Sequence, residues 1–249
     1  MIGPTEITVA AYNAHWGVGR YGASRGVPFD VAEVVRSFDA DVVVVPESWR
    51  DDDGKSDLDP LTGDGYHVET IQLIPLALRH DHGRDTVPAD GGWELGVCSR
   101  FPITTRREIA IGHVPTDPAG PRYALQCGVD VDGDAVDIIG LHTSSKLWFL
   151  GPVRHMLTLR RELEREGSTP HIIAGDFNFW GPPIEVMMPR WRRTARGRTY
   201  PSHRPHSQID HVLVRRDIEV IGAEVLPATP SDHLPVRARI RIGDRGVLG

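Results

Sequence analysis

Residues 7–22 read ITVAAYNAHWGVGRYG: an apolar run suited to a strand, then Gly17-x-Gly19-x-x-Gly22, the spelling of a dinucleotide-binding turn. An acid, Glu47, closes the next apolar run, DVVVVPE, near where such a fold keeps its ribose ligand. The flanking residues decide against that reading. In the dinucleotide motif the third glycine opens a helix at once, whereas Ala23 to Pro28 intervene here before any helical residue. The glycines are therefore read as a loop leaving the end of the first strand, one that carries Trp16 and Arg20 towards substrate.

Working outward, short apolar or alternating runs recur at 6–13, 41–46, 66–71, 93–98, 109–113, 123–131, 135–141, 171–175, 209–214, 219–225 and 235–242. The clearest hairpin is CGVDVDGDAVDIIG, with Asp132-Gly133 as its turn. Its spaced aspartates lack the glycine register of a calcium loop. Two stretches read as helices. Residues 30–38 start at Asp30 as N-cap with Glu33 three positions on, and residues 153–166 carry apolar residues at helical spacing and end at Gly167. Many strands and few helices predict an α+β fold of two packed sheets with helices laid outside.

The composition is ordinary for a globular protein, with 249 residues, 40% hydrophobic and 25% charged. No linker or internal repeat divides the chain, so residues 1–249 are expected to form one domain, with a monomer as the expected state. Cys98 and Cys127 each lie in an apolar run and read as buried thiols. No signal peptide or membrane-length run is found, which predicts a cytoplasmic location. The net charge of −6 argues against a generic nucleic-acid coat, but charge is unevenly spread. The run DDDGKSDLDPLTGD at 51–64 reads as a solvated acidic loop. The run RWRRTARGR places Arg190, Arg192, Arg193, Arg196 and Arg198 in nine positions, a candidate for phosphate contacts.

The chemistry lies where polar residues end apolar strands. Asn13 ends the first, Glu47 follows DVVVVP, and His142 ends VDIIGLHT. Asp176 and Asn178 follow HIIAG, Asp210 lies in SQIDHVLV, and Asp232 and His233 lie in TPSDHLPV. Each alone has a structural explanation: a satisfied amide, a hydrogen-bonded core histidine, a turn aspartate or an arginine partner. Together they converge, because several buried carboxylates cost several kcal/mol each unless paired or bound to metal. Oxygen donors with no thiolate pair select Mg²⁺ or Mn²⁺ over zinc. The one zinc-like spacing, His80, His82 and Asp85 in RHDHGRD, has its acid one position late and reads as an exposed loop.

In order along the chain, Asn13, PE at Glu47, CSRFPI at 98–103, LHTSS at 141–145, GDFN at 175–178, TYPSHRPHSQIDHV at 199–212 and SDHLPV at 231–236 resemble the endonuclease/exonuclease/phosphatase superfamily of DNase I-like nucleases, AP endonucleases, sphingomyelinases and inositol polyphosphate phosphatases. The resemblance implies a four-layer αββα sandwich of two mainly antiparallel sheets, and a phosphate-ester hydrolase that needs Mg²⁺ or Mn²⁺. It implies Glu47 as principal metal ligand with Asn13 and Asp232 completing the site. It implies Asp176 as the residue that orients or deprotonates water, with Asn178 beside it. It further implies His233 as donor to a non-bridging oxygen, Asp210 as the group that fixes its tautomer, and His142 as a second phosphate donor. Arg122, like Ser99 to Pro102, is expected to end a strand or to pair with an active-site carboxylate.

The AP-endonuclease branch carries an Asn-x-Tyr-x-Pro-Asn block where this chain has GLHTSSKLWFLGP, so the resemblance runs to the nuclease and phosphatase branches. Trp16, Trp148, Phe149 and Trp180 follow motif residues and are candidates to line the cleft. The expectation is a phosphodiesterase, a nuclease first, with a phosphatase or phospholipase-like hydrolase of a small phosphate ester as the alternative. A binding module without turnover would have lost Asp176 or His233.

Overall fold

The computed structural model describes residues 5–73, 91–117, 120–147 and 149–242. The RHDHGRD stretch and Trp148 lie outside these residues. Two six-stranded sheets pack face to face. In chain order their strands are β1 (Thr5–Ala11), β2 (Val42–Arg50), β3 (His67–Gln72), β4 (Gly92–Ser99), β5 (Ile103–His113) and β6 (Pro121–Val131). Then come β7 (Asp134–His142), β8 (Ile172–Asp176), β9 (Trp191–Arg193), β10 (Asp210–Arg215), β11 (Glu219–Val225) and β12 (Val236–Ile242). The first sheet runs β11-β12-β1-β2-β4-β3 and the second β5-β6-β7-β8-β10-β9. The β1–β2 and β7–β8 pairs are parallel and the other pairings antiparallel. The expected sandwich is what forms.

Strand alternation explains the layers. Along β2, Val42 and Val44 enter the core between the sheets while Val43 and Val45 face an outer layer. That outer layer holds Val31, Ala32 and Val35 of α1 (Val31–Arg36) with Leu58 and Leu61. On the second sheet Ile172, Ala174, Val212 and Val214 face inward, and Ile173 and Leu213 face Met156, Leu159 and Leu163 of α2 (Leu150–Arg165) and Ile184 of α3 (Gly181–Met187). A run such as DVVVVP is apolar throughout because both faces of its strand are covered.

The local signals act as their chemistry dictates. Asp30 caps α1, its side chain accepting the Glu33 N–H at 2.8 Å. Asp132 and Gly133, at φ 54° and 96°, make the hairpin turn of β6–β7. Helix α2 begins three residues earlier than expected, at Leu150, because Pro152 sits in its first turn, where a missing N–H costs nothing. Helix α3 escaped the sequence reading for the same reason: Pro182-Pro183 reads as a breaker but occupies a helix start. Both cysteines are free and buried. Among the described residues no helix is long and apolar enough to cross a membrane.

The loop of the opening stretch is packed. His15, Trp16 and Gly17 have φ of 46°, 59° and 68°, and a bridge joins Val18 to Pro28. Trp16 is 7% exposed, stacked on Trp93 at 5.3 Å, and a Cβ on Gly19 would meet the Ser24 carbonyl oxygen at 2.1 Å. The loop folds inward and buries the indole.

Candidate active site

The two sheets bring their strand ends to one mouth. From the first sheet come Asn13, just past β1, Glu47 within β2, and Asp232 with His233 in the turn before β12. From the second come His142 and Asp176, which are partners across the β7–β8 ladder, and Asp210, which is partner to Asp176 across β8–β10. All the catalytic and metal-ligand candidates meet here, and apart from Glu47 and Asn178 they are buried.

Local backbone devices aim them. Glu47 is the extra residue of a β-bulge between Pro46 and Ser48, at φ 55°, so β2 continues through it to Arg50 instead of ending. The bulge turns the carboxylate to the mouth at the cost of a strained residue. Gly175, at φ 135°, precedes Asp176, and a Cβ there would stand 2.0 Å from the Leu141 carbonyl oxygen. Asn178 takes φ 45°, which asparagine tolerates, and its Nδ2 donates to the Thr143 carbonyl at 3.0 Å. Ser231 Oγ donates to the Asn13 carbonyl at 2.7 Å and accepts the His233 N–H at 3.2 Å, locking the first strand to the last block. The Arg20 N–H donates to the Pro230 carbonyl at 3.1 Å and holds the packed loop to the same turn.

Asp176 is gripped on both oxygens, Oδ1 by the Asn178 N–H at 2.7 Å and Oδ2 by Asn13 Nδ2 at 3.1 Å. Burial, then the facing Asp210 charge, pushes its pKa up to about 7. His233 Nδ1 lies 3.0 and 2.9 Å from the two oxygens of Asp210. Burial alone would lower this histidine, but Asp210, Asp232 and Asp176 outweigh it and hold it well above 6.5, as an imidazolium. Its Nε2 stands 3.9 Å from Asp176 Oδ2 and 3.7 Å from Asp232 Oδ1. His142 is the opposite case: burial, then the Arg122 charge, holds it well below 6.5 and neutral. Its Nε2 lies 3.4 Å from Glu47 and 3.8 Å from Asp176, while its Nδ1 is buried without a partner.

Burial and the Asp232 charge push Glu47 up to about 8, and Asp232 Oδ1 is buried with no hydrogen-bond partner among the described residues. Two neighbouring carboxylates, one with an orphaned oxygen, form a donor set that suits a hard divalent cation. Asp176, Asp210 and His233 also have ligand atoms within 4.8 Å of one another. His233, however, commits Nδ1 to Asp210 and is charged, so it is the weaker candidate for a ligand. Asn13 spends its Oδ1 on the His15 N–H at 3.0 Å and turns its amide nitrogen to Asp176.

Two neighbours, Trp93 and Tyr200, escaped the sequence reading, and a third, Arg122, is expected from sequence to end a strand or to pair with an active-site carboxylate. Arg122 is 4% exposed and pairs with Asp117, Nε to Oδ2 at 3.0 Å, and with no carboxylate of the site. Its guanidinium lies over Trp93 at 5.9 Å, and the Trp93 ring is 6.2 Å from that of His142. Tyr200 stands 4.8 Å from His233. Nothing in GPRYAL or GGWEL marks burial at the mouth of a cleft, because these contacts cross between strands distant in sequence. Of the aromatic candidates, Phe149 and Trp180 are about half exposed, at 49% and 52%.

The sequence profile described as the Endonuclease/Exonuclease/phosphatase family matches residues 10–233. The chain belongs to the endonuclease/exonuclease/phosphatase family. Members of this family are hydrolases that act on phosphate esters, and the chain is a phosphoesterase of that kind. No curated protein matches it in sequence. Among solved structures, a family protein from Beutenbergia cavernae DSM 12333 is 23% identical over 96% of this chain and 72% of its own, with a TM-score of 0.72. A mannosyl-6-phosphatase from Bacteroides thetaiotaomicron VPI-5482 is 18% identical over 94% of this chain and 99% of its own, TM-score 0.70. ANGEL2, described as a 2′,3′-cyclic phosphatase, is 13% identical over 96% of both chains, TM-score 0.68. At these identities the likeness is one of fold.

Proposed function

We propose that the chain is a divalent-metal-dependent hydrolase of a phosphodiester, a nuclease in the first reading. The observation that carries the proposal is a buried pair 3.9 Å apart: Asp176, held by Asn13 and Asn178 and raised to about 7, and His233, held as a cation by both oxygens of Asp210. A base poised near neutrality beside a fixed proton donor suits attack of water on a phosphoryl group.

In this reading Asp176, steadied by Asn13 and Asn178, orients water and takes its proton. His233 donates from Nε2 to a non-bridging oxygen while Asp210 fixes its tautomer and charge. His142, neutral, is a second donor. These groups meet the charge that grows on the phosphoryl oxygens with dipoles already in place. Glu47 and Asp232, with Asn13 adjoining, would hold Mg²⁺ or Mn²⁺, which as a Lewis acid polarises a phosphoryl oxygen and offsets charge on the leaving group.

For a nucleic-acid substrate, exposed Arg190, Arg196 and Arg198 are the candidates for phosphate contacts. The alternative, a phosphomonoesterase or phospholipase-like hydrolase of a small phosphate ester, draws support from the other two arginines. Arg192 Nη2 donates to the Ile218 carbonyl at 2.6 Å and Arg193 Nη1 to Gln208 at 3.3 Å, so both are committed within the fold. A panel of supercoiled DNA, single-stranded DNA, RNA, a model diester, a sugar phosphate and sphingomyelin, each with Mg²⁺ and Mn²⁺, separates the readings. Turnover of the sugar phosphate alone would overturn the nuclease.

A further inference from the structure

The chain carries a formal charge of −6, yet two stretches beside the catalytic turn contain no acid at all. Residues 14–29 and 194–207 hold Arg20, Arg25, Arg196, Arg198 and Arg204, and neither has an aspartate or a glutamate. Both are fastened to the turn that bears Asp232 and His233. From the opening loop, the Arg20 N–H donates to the Pro230 carbonyl at 3.1 Å. From the other, the Ser202 N–H donates to the Asp232 carbonyl and Ser202 Oγ to the Ser231 carbonyl, each at 2.7 Å. The Thr199 carbonyl accepts the Leu234 N–H at 2.8 Å.

The two loops also touch each other. The Tyr21 and His203 rings lie 3.8 Å apart, and Arg20 Cζ is 5.9 Å from the centre of the Tyr21 ring. Tyr200, in the second loop, stands 4.8 Å from His233. Burial, then the Asp232 charge, pushes its phenol up to about 12; Tyr21 and Asp176 add to the rise and the Arg20 charge opposes it. One phenol is thus within electrostatic reach of the site's carboxylates and of the opening-loop arginine. Arg20 and Tyr21 are half-buried, His203 and Arg204 exposed, and Arg198 Nη1 reaches the Pro205 carbonyl of the same loop at 3.5 Å. Guanidinium groups gathered without acids at the edge of a phosphoryl centre suit an anion, since their forked N–H groups match phosphate oxygens. A stacked base has less to gain, because the Tyr21 ring already lies against His203.

We propose that Arg20, His203 and Arg204 form an anion subsite beside the phosphoryl centre, which takes a second phosphate group of the substrate next to the one that is hydrolysed. Tyr21 joins the two loops and sets the geometry. The proposal deepens the phosphoesterase reading, on which its role in selectivity rests: the favoured ester carries more than one phosphate, as a nucleotide chain or a small bisphosphate does. The glycines of the opening stretch then have a task. Gly19, where a Cβ would stand 2.1 Å from the Ser24 carbonyl oxygen, permits the tight loop that presents Arg20 and Tyr21.

Binding in EDTA, apart from any turnover, tests the subsite. Fluorescence anisotropy reads a short fluorescein-labelled oligothymidylate against its uncharged methylphosphonate counterpart, and calorimetry reads glucose 1,6-bisphosphate against glucose 6-phosphate. At least one ligand with several phosphates is expected to bind saturably, about tenfold or more tighter than its control. Preference for the oligothymidylate assigns a nucleotide chain; binding of the bisphosphate alone assigns a small ester. Arg20→Gln and Arg204→Gln are each expected to weaken binding about threefold. Each should also lower the slope of log Kd against log salt for the oligothymidylate by about 0.7, the share of one phosphate contact on a single strand, which a merely structural role would not do. Turnover of bis(p-nitrophenyl) phosphate with Mg²⁺, measured in parallel, reports on the phosphoesterase reading by itself: its absence beside intact binding refutes the hydrolase and not the subsite. Saturable binding of neither ligand, controls that bind equally well, or wild-type affinity and salt slope in both arginine variants would each overturn the proposal.

Discussion

Replacing Asp210 with Asn tests the charge logic of the site most directly. Both Asp210 oxygens lie within 3.0 Å of His233 Nδ1, and the residue is 1% exposed. Asparagine keeps the shape and one acceptor but removes the charge. A charge-assisted hydrogen bond to a buried group is worth about 2–3 kcal/mol, which sets an expected loss of roughly 30- to 150-fold in kcat/KM. The pH profile carries the sharper test. Asp210 is the main group raising His233, so its loss brings that pKa down and moves the alkaline limb to lower pH. Asp210 is also, after burial, the next cause of the raised Asp176, so its loss lowers that pKa as well. The acid limb, set by ionisation of the base, therefore moves to lower pH too. Rates on a chromogenic phosphodiester at saturating Mg²⁺, from about pH 5 to 10, report both limbs. The whole bell is expected to slide toward acid. A bell of reduced height that stays in place, or an alkaline limb that moves up, would refute the assigned coupling.

Other expectations concern the metal, the base and the scaffold. Asp176→Asn and His233→Ala should each lower turnover by about two orders of magnitude or more with circular dichroism unchanged, and near-normal activity in either removes it from its role. EDTA should abolish hydrolysis and Mg²⁺ or Mn²⁺ restore it; chelator-resistant activity contradicts the metal-dependent reading. Gly175→Ala should destabilise by several kcal/mol in a urea melt, since its Cβ meets a carbonyl oxygen at 2.0 Å and its φ is 135°; a loss of under about 1 kcal/mol would show that β7 and β8 can part. Burial lowers His211 to about 4, against about 6.5 in the unfolded chain. The unfolded state then binds the extra proton, so stability from this group is complete above about pH 6.5 and is lost as pH falls toward 4, on the order of 3 kcal/mol. His211→Gln, which can still donate to the Phe179 carbonyl, should flatten that acid loss in thermal melts across the same range, and an unchanged slope contradicts it.

Strand order along the chain was legible because alternation and continuous apolar runs report how many faces are covered. DVVVVP and HIIAG sit where both faces are buried, and their closing acids fall at the mouth. What stayed hidden depends on tertiary geometry. Glu47 reads as the end of a strand, but a bulge lets β2 pass through it. Pro182-Pro183 reads as a break because propensity is blind to helix starts. For Trp16, beside a glycine-rich turn, only the stack with Trp93, 77 positions away in the numbering, shows where its apolar area goes. Arg122 was legible as a candidate, but its placement over Trp93 is set by sheet packing in the same way.

The division of the mouth between the sheets has a mechanical consequence. Glu47, Asn13 and Asp232 ride on one sheet, while His142, Asp176 and Asp210 ride on the other, and across the apolar layer the mouth is tied by the Asn13–Asp176 and His233–Asp210 hydrogen bonds. A slip of one residue between the sheets would displace the two halves by about 3.3 Å. That exceeds the fraction of an ångström within which reacting groups must be held. Hydrolysis is thus a gauge of interlayer alignment, and core substitutions at Val44, Val97 or Gly140, which face one another between the sheets, would be felt in turnover before they are felt in secondary structure.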